Sequence, residues 1–136
     1  MTLDQTPELF WLAAVTALTG VLWMPHILQL IMQMGLFKAM QEPTGVHPHA
    51  SEWPHRATRA EYNAIENLAV FAPLALLIAL QGLGDSLTAM AAMVFFWARL
   101  VHFIVYVLKL PYIRTTAFLV GFACQAVLAL RLFGLL

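Results

Sequence analysis

From Leu9 to Phe37 the chain carries no Asp, Glu, Lys or Arg. That run exceeds the ~20 residues a helix needs to cross a bilayer. No other feature limits the fold as much, because each backbone N–H and C=O in hydrocarbon must find its partner inside its own segment. Composition extends the argument to the rest of the chain. Of 136 residues, 62% are hydrophobic and 10% are charged, against about 25% charged in an ordinary soluble domain.

Turn residues divide the chain into four spans, about 9–37, 55–81, 86–109 and 112–135. Pro25 should kink the first span. A loop over about 38–54 holds Pro43, Gly45, Pro48 and Pro54. The tight turn Gly82-Leu83-Gly84-Asp85 joins the second and third spans, with Asp85 or Ser86 able to cap the third. Pro111 separates the last two. Gly20 and Gly121 would permit close helix approach. The expected fold is an all-α integral membrane protein, one domain over 1–136 built as a bundle of four transmembrane helices.

Charge placement orients the bundle. Lys38, Arg56 and Arg59 flank the first connection, and Lys109 and Arg114 flank the third, whereas the second has no Lys or Arg. The first and third connections should therefore face the cytoplasm, with Arg131 the only basic residue that dissents. Trp11, Trp53 and Tyr112 fall near the expected interfaces. The acidic N-terminal residues lack a signal peptide's basic region, and the apolar run after them is too long for a signal core, so it reads as an anchor. Seven basic residues balance seven acidic ones, which gives no reason to expect a nucleic-acid partner. The lone cysteine, Cys124, lies among Phe122, Ala123 and Ala126 and reads as a packing thiol.

Two of the apolar spans carry the same polar stripe. Arg56, Arg59, Asn63 and Glu66 fall at offsets 0, 3, 7 and 10, and so do Arg99, His102, Tyr106 and Lys109. At ~100° per residue each set covers an arc of roughly 80° on a helix. Glu66 and Arg99 should be level, ~15 Å along the axis from the outer basic residues. A lone Arg at mid-span costs about 2.5–3.5 kcal/mol on insertion scales, so the two are expected to face each other, directly or through a ligand. The bland alternative is a structural ion pair that sets helix register. A register pin needs one pair, however, whereas Arg59, Arg99, His102 and Arg114 surround a single carboxylate. That cationic surplus calls for an anionic ligand. Arg114, in the first turn of the fourth helix, either snorkels to lipid phosphate or joins Thr115 in stabilising an anion such as a thiolate.

The histidines point elsewhere. His47, His49 and His55 read as a solvated loop, and His26 after Pro25 as a group that satisfies a helix break. No zinc ligand set can be assembled from them, so no metal is expected.

The string Arg56-Ala-Thr-Arg59-Ala60-Glu-Tyr-Asn63-Ala-Ile-Glu66, followed by Leu68 and Phe71, resembles a signature of the MAPEG proteins. These are the membrane-associated proteins in eicosanoid and glutathione metabolism. Arg99-Leu-Val-His102-Phe-Ile-Val-Tyr106, continuing to Lys109, Arg114 and Thr115, is similar to the same family, and the layout most resembles its bacterial members. The resemblance implies a homotrimer of left-handed four-helix bundles in a bacterial inner membrane, with glutathione bound between subunits near the cytoplasmic side. By that likeness Arg59, Asn63, Glu66, Tyr106 and Arg114 would hold glutathione, supported by Arg56, Arg99 and His102. Arg114 would activate the sulfur as thiolate, with Thr115 as the neighbouring hydroxyl. The chain departs from the family where Gln29, Leu30 and Gln33 replace a first-helix arginine, where Phe118 replaces a tyrosine, and where Tyr62 replaces a basic residue of one branch.

The expected activity is a glutathione-dependent transferase or peroxidase acting on lipophilic electrophiles or hydroperoxides within membrane lipid. Two rivals stand beside it: a non-catalytic scaffold of the same fold, and a small proton-coupled transporter built on Glu66. Arginines near Glu66 disfavour the transporter because they would hold the glutamate ionised.

Overall fold

The computed structural model describes residue 2, residues 5–41 and residues 49–136. Among these residues run six helices: α1 (Pro7–Val21), α2 (Met24–Met34), α3 (Leu36–Met40), α4 (Trp53–Leu80), α5 (Ser86–Val107) and α6 (Pro111–Leu132). α1 and α2 together make one apolar span, Pro7–Met34, and α4, α5 and α6 make three more. Among the described residues there are therefore four helical spans long and apolar enough to cross a membrane.

Local chemistry explains where the helices stop. The first span breaks at Leu22 and Trp23, just before Pro25, which lies in the first turn of α2. There a missing N–H costs no helical bond. The Thr19 hydroxyl donates back to Val15 O at 2.8 Å, a contact that bends helices. Pro73, by contrast, sits inside α4 without ending it. α5 ends at Val107, two residues short of the expected Lys109. The reason is a Schellman closure, in which Lys109 N donates to Tyr106 O and Leu110 N to Val105 O. Lys109 takes the left-handed conformation at φ 61° and leaves the stripe that its spacing suggested.

Three polar ties fix how the helices run against one another. Thr88 Oγ1 donates to Glu8 Oε1 at 2.5 Å, joining the starts of α1 and α5. Arg56 Nε donates to Val107 O at 2.9 Å, joining the start of α4 to the end of α5. Arg131 pairs with Asp85 at 3.0 Å and donates to Leu83 O, bringing the end of α6 to the start of α5. Successive spans are thus antiparallel.

Between the ends the core is apolar. The rings of Phe71 and Phe95 stack with centroids 3.9 Å apart, among Val15, Ala75, Ile78, Ala92 and Leu128. Lipid tails are as apolar as these side chains, so close packing, more than escape from water, holds such helices together. Gly121 serves that packing. A Cβ there would lie 3.8 Å from the Phe95 ring and 3.9 Å from Arg99 Nε. Gly20 has no such neighbour within 4 Å, so it allows no close approach inside this chain.

Of the loop histidines, His55 is exposed as expected, whereas His49 is less solvated. His26 Nε2 meets Glu61 Oε2 of α4 at 2.7 Å, a hydrogen bond between helices. His49 is half-buried and donates from Nδ1 to Gln29 Oε1 at 2.5 Å. Gln33 Oε1 accepts from Ala50 N at 2.9 Å. His47 lies outside the described residues. No group of three or more His, Cys, Asp or Glu among those described is arranged to hold a metal.

Candidate functional site

α4, α5 and the start of α6 enclose two adjoining cavities. One, of about 290 Å³, is lined by Arg59, Tyr62, Asn63, Glu66 and Tyr106. The other, of about 250 Å³, is lined by Asn63, His102, Tyr106, Arg114, Thr115 and Phe118. Asn63 and Tyr106 belong to both, so the two form one groove. Helical spacing brings Arg59, Asn63 and Glu66 to one face of α4. The tight turn after α5 then swings Arg114 and Thr115 back beside His102 and Tyr106.

Arg114 lies with Cζ 4.7 Å from the centre of the Tyr106 ring. It occupies the first turn of α6, where the macrodipole opposes a cation. The ring face offsets part of that cost, by about 0.5–1 kcal/mol. The Thr115 hydroxyl donates to Pro111 O at 3.0 Å, so its oxygen can serve a ligand only as an acceptor unless that bond is given up. The His102 ring packs at 5.5 Å from Tyr106 and 6.4 Å from Phe118. It makes no hydrogen bond to another described residue.

Arg99 lies behind the groove wall, only 2% exposed. Its NH1 donates to Asn63 Oδ1 at 3.2 Å, while its Nε and NH2 are buried without a partner. The direct Glu66–Arg99 contact is therefore not formed. Glu66 is exposed on the groove rim, without an ion pair to any described residue. Asn63 takes the place next to Arg99 because it is one turn closer to the start of α4. Arg56 likewise does not line the groove. Its Nε is committed to Val107 O and its NH1 lies 3.5 Å from Glu52, which makes it a staple between helix ends.

Two residues of this region gave no signal in the stripes. Asn67, 8% exposed, donates to Asn63 O at 2.9 Å and to Asn63 Oδ1 at 3.3 Å. Gln125 of α6, 7% exposed, donates to Asn67 O at 3.1 Å and lies 3.5 Å from Asn67 Oδ1. A polar side chain inside an apolar span was the available clue, since such groups are costly without a partner.

A larger cavity, of about 380 Å³, opens at the opposite end between Glu8, Gly84, Asp85 and Ser86. No cation lines it, and the Glu8 carboxylate there is taken up by Thr88. The cationic groove is the better candidate.

No curated protein and no solved structure matches the chain. The family comparison is decisive on its own: the MAPEG family model matches residues 10–134, nearly the full length, and this integral membrane protein belongs to the MAPEG family.

Proposed function

We propose that the groove binds glutathione and presents its sulfur, as thiolate, to a lipophilic electrophile or hydroperoxide dissolved in the bilayer. One observation carries this reading. Arg59 and Arg114 line the groove with Arg99 behind it, and Glu66 is the single carboxylate on its wall. Glutathione offers two carboxylates and one ammonium group, so Glu66 suits the ammonium and the arginines suit the carboxylates and the sulfur. Arg114 stabilises the thiolate electrostatically, and the groove holds it for attack. In transfer, a sulfur lone pair forms the S–C bond as the leaving group departs with its electrons.

The groove opens to the side of one chain, with Arg59 and Glu66 both exposed. A second copy closing that side fits the homotrimer implied by the family. The basic residues at the first and third connections favour placing the groove on the cytoplasmic side of a bacterial inner membrane.

A non-catalytic scaffold of the same fold is the second reading, favoured by the first span. Gln29 and Gln33 stand where an arginine is expected, and both bind the segment at His49 and Ala50. One experiment separates the two. Purified protein should bind about one glutathione per subunit, raise its thiolate absorbance, and conjugate an aryl halide. Arg114→Ala should remove the thiolate signal and leave the assembly intact. A wild-type protein that binds no glutathione at millimolar concentration would overturn the enzyme reading in favour of the scaffold.

A further inference from the structure

Arg99, Asn67 and Gln125 belong to one chain of hydrogen bonds whose direction is set at one end. An amide's oxygen and nitrogen have nearly the same shape, so its orientation must come from its neighbours. Arginine has donors only. Since Arg99 NH1 meets the Asn63 amide at 3.2 Å, the atom facing it must be Oδ1. Asn67 contacts that same oxygen and the Asn63 backbone O, both acceptors, so it must present Nδ2. Its own Oδ1 is thereby turned to Gln125, which must in turn present Nε2. Three helices contribute: Gln125 of α6 donates to Asn67 of α4, and Arg99 of α5 donates to Asn63, one turn earlier on α4.

The consequence falls on Asn63. With its oxygen held by Arg99 and Asn67, its Nδ2 is left as the free end, on a residue that lines both halves of the groove. We infer that Asn67 and Gln125, with Arg99, are positioning residues that lock Asn63 with its N–H2 toward the ligand. The ligand group at the junction of the two cavities is then an acceptor, a carboxylate or carbonyl oxygen. Naming glutathione as that ligand rests on the function proposed above, whereas the direction of the relay does not.

Asn63 and Asn67 are the only asparagines in the chain, which allows a direct test. Full-length protein labelled with ¹⁵N-asparagine in micelles should show two side-chain amide pairs. One, from Asn67, should be protected from water; the other, from Asn63, should exchange and shift on adding millimolar glutathione. Asn67→Leu and Gln125→Met should lower the order parameter of the Asn63 pair. They should also weaken glutathione about three- to tenfold, as expected for one misdirected hydrogen bond. Gln125→Met keeps the side-chain length and guards against a folding defect in the other variant. Protection of both pairs in the wild type would overturn the inference, as would an undisturbed Asn63 pair in both variants. A wild-type protein with the expected amide pattern but no glutathione binding would instead refute the glutathione reading and leave the relay standing.

Discussion

Arg99 brings three guanidinium nitrogens into the bundle, and only NH1 finds an acceptor there. Breaking a buried ion pair costs about 3–5 kcal/mol because it strands the other charge. Here there is no such pair to break. Arg99→Met should therefore leave the ligand-free unfolding temperature unchanged or higher, while the stabilisation given by millimolar glutathione shrinks. A large loss of stability without ligand would restore the structural ion pair. Glu66→Gln follows the same logic: an exposed carboxylate with no ion pair should be replaceable without loss of stability, and calorimetry should show weaker glutathione binding. The stripes made Arg59, Asn63, Glu66, His102 and Tyr106 legible because a helix converts offsets into a shared face. Partners are a different matter. That Arg99 would meet Asn63 and not Glu66 depends on the relative shift of α4 and α5, which no spacing within either helix encodes.

At the scale of the helix, three ends close in the same way and one of them is strained. Gly82 and Gly134 occupy the left-handed position after α4 and α6, at φ 65° and 69°, whereas Lys109 does so after α5 at φ 61°. The left-handed conformation costs an ordinary residue roughly 1–2 kcal/mol. Lys109→Gly should stabilise the protein by about 1 kcal/mol in thermal unfolding, and a destabilised variant would show that the lysine charge outweighs the strain. The start of α5 is tied more tightly. Asp85 accepts from Leu87 N and Thr88 N, each at 2.9 Å. The Thr88 backbone bond, with help from Arg131, holds the Asp85 carboxyl below its ordinary value of 3.8 against the opposing effect of burial. A depressed pKa in the fold adds stability above the ordinary value, lost as pH falls through the folded one. Unfolding temperature should thus drop below about pH 3.8 in the wild type, and Asp85→Asn should flatten that limb. Thr88→Val should cost about 1–3 kcal/mol by leaving the buried Glu8 carboxylate without its donor. Asp85 as cap was readable from the sequence. Glu8 was not, because its partner lies eighty residues away.

Across the whole molecule, the polar ties sort the charges by end. The starts of α4 and α6 and the end of α5 share one end, which holds Arg56, Arg59, Lys109 and Arg114. The other end holds Glu8, Asp85 and Arg131. In the sequence Arg131 counts against the expected orientation. In the fold it lies 3.0 Å from Asp85, tied to an acid of the protein's own at that end. Lys and Arg near span ends resist translocation, so the groove end is expected to face the cytoplasm. Cysteine placement can test this, because the native Cys124 is buried and silent toward bulky reagents. Glu52→Cys marks the groove end, and losing its exposed pair with Arg56 should cost little. Gln81→Cys marks the other end, on an exposed residue after α4. On intact cells an impermeant maleimide should label the second and spare the first until the membrane is opened. The reverse pattern would place the cationic groove outside, away from cytoplasmic thiols, and would undercut the glutathione reading together with the orientation.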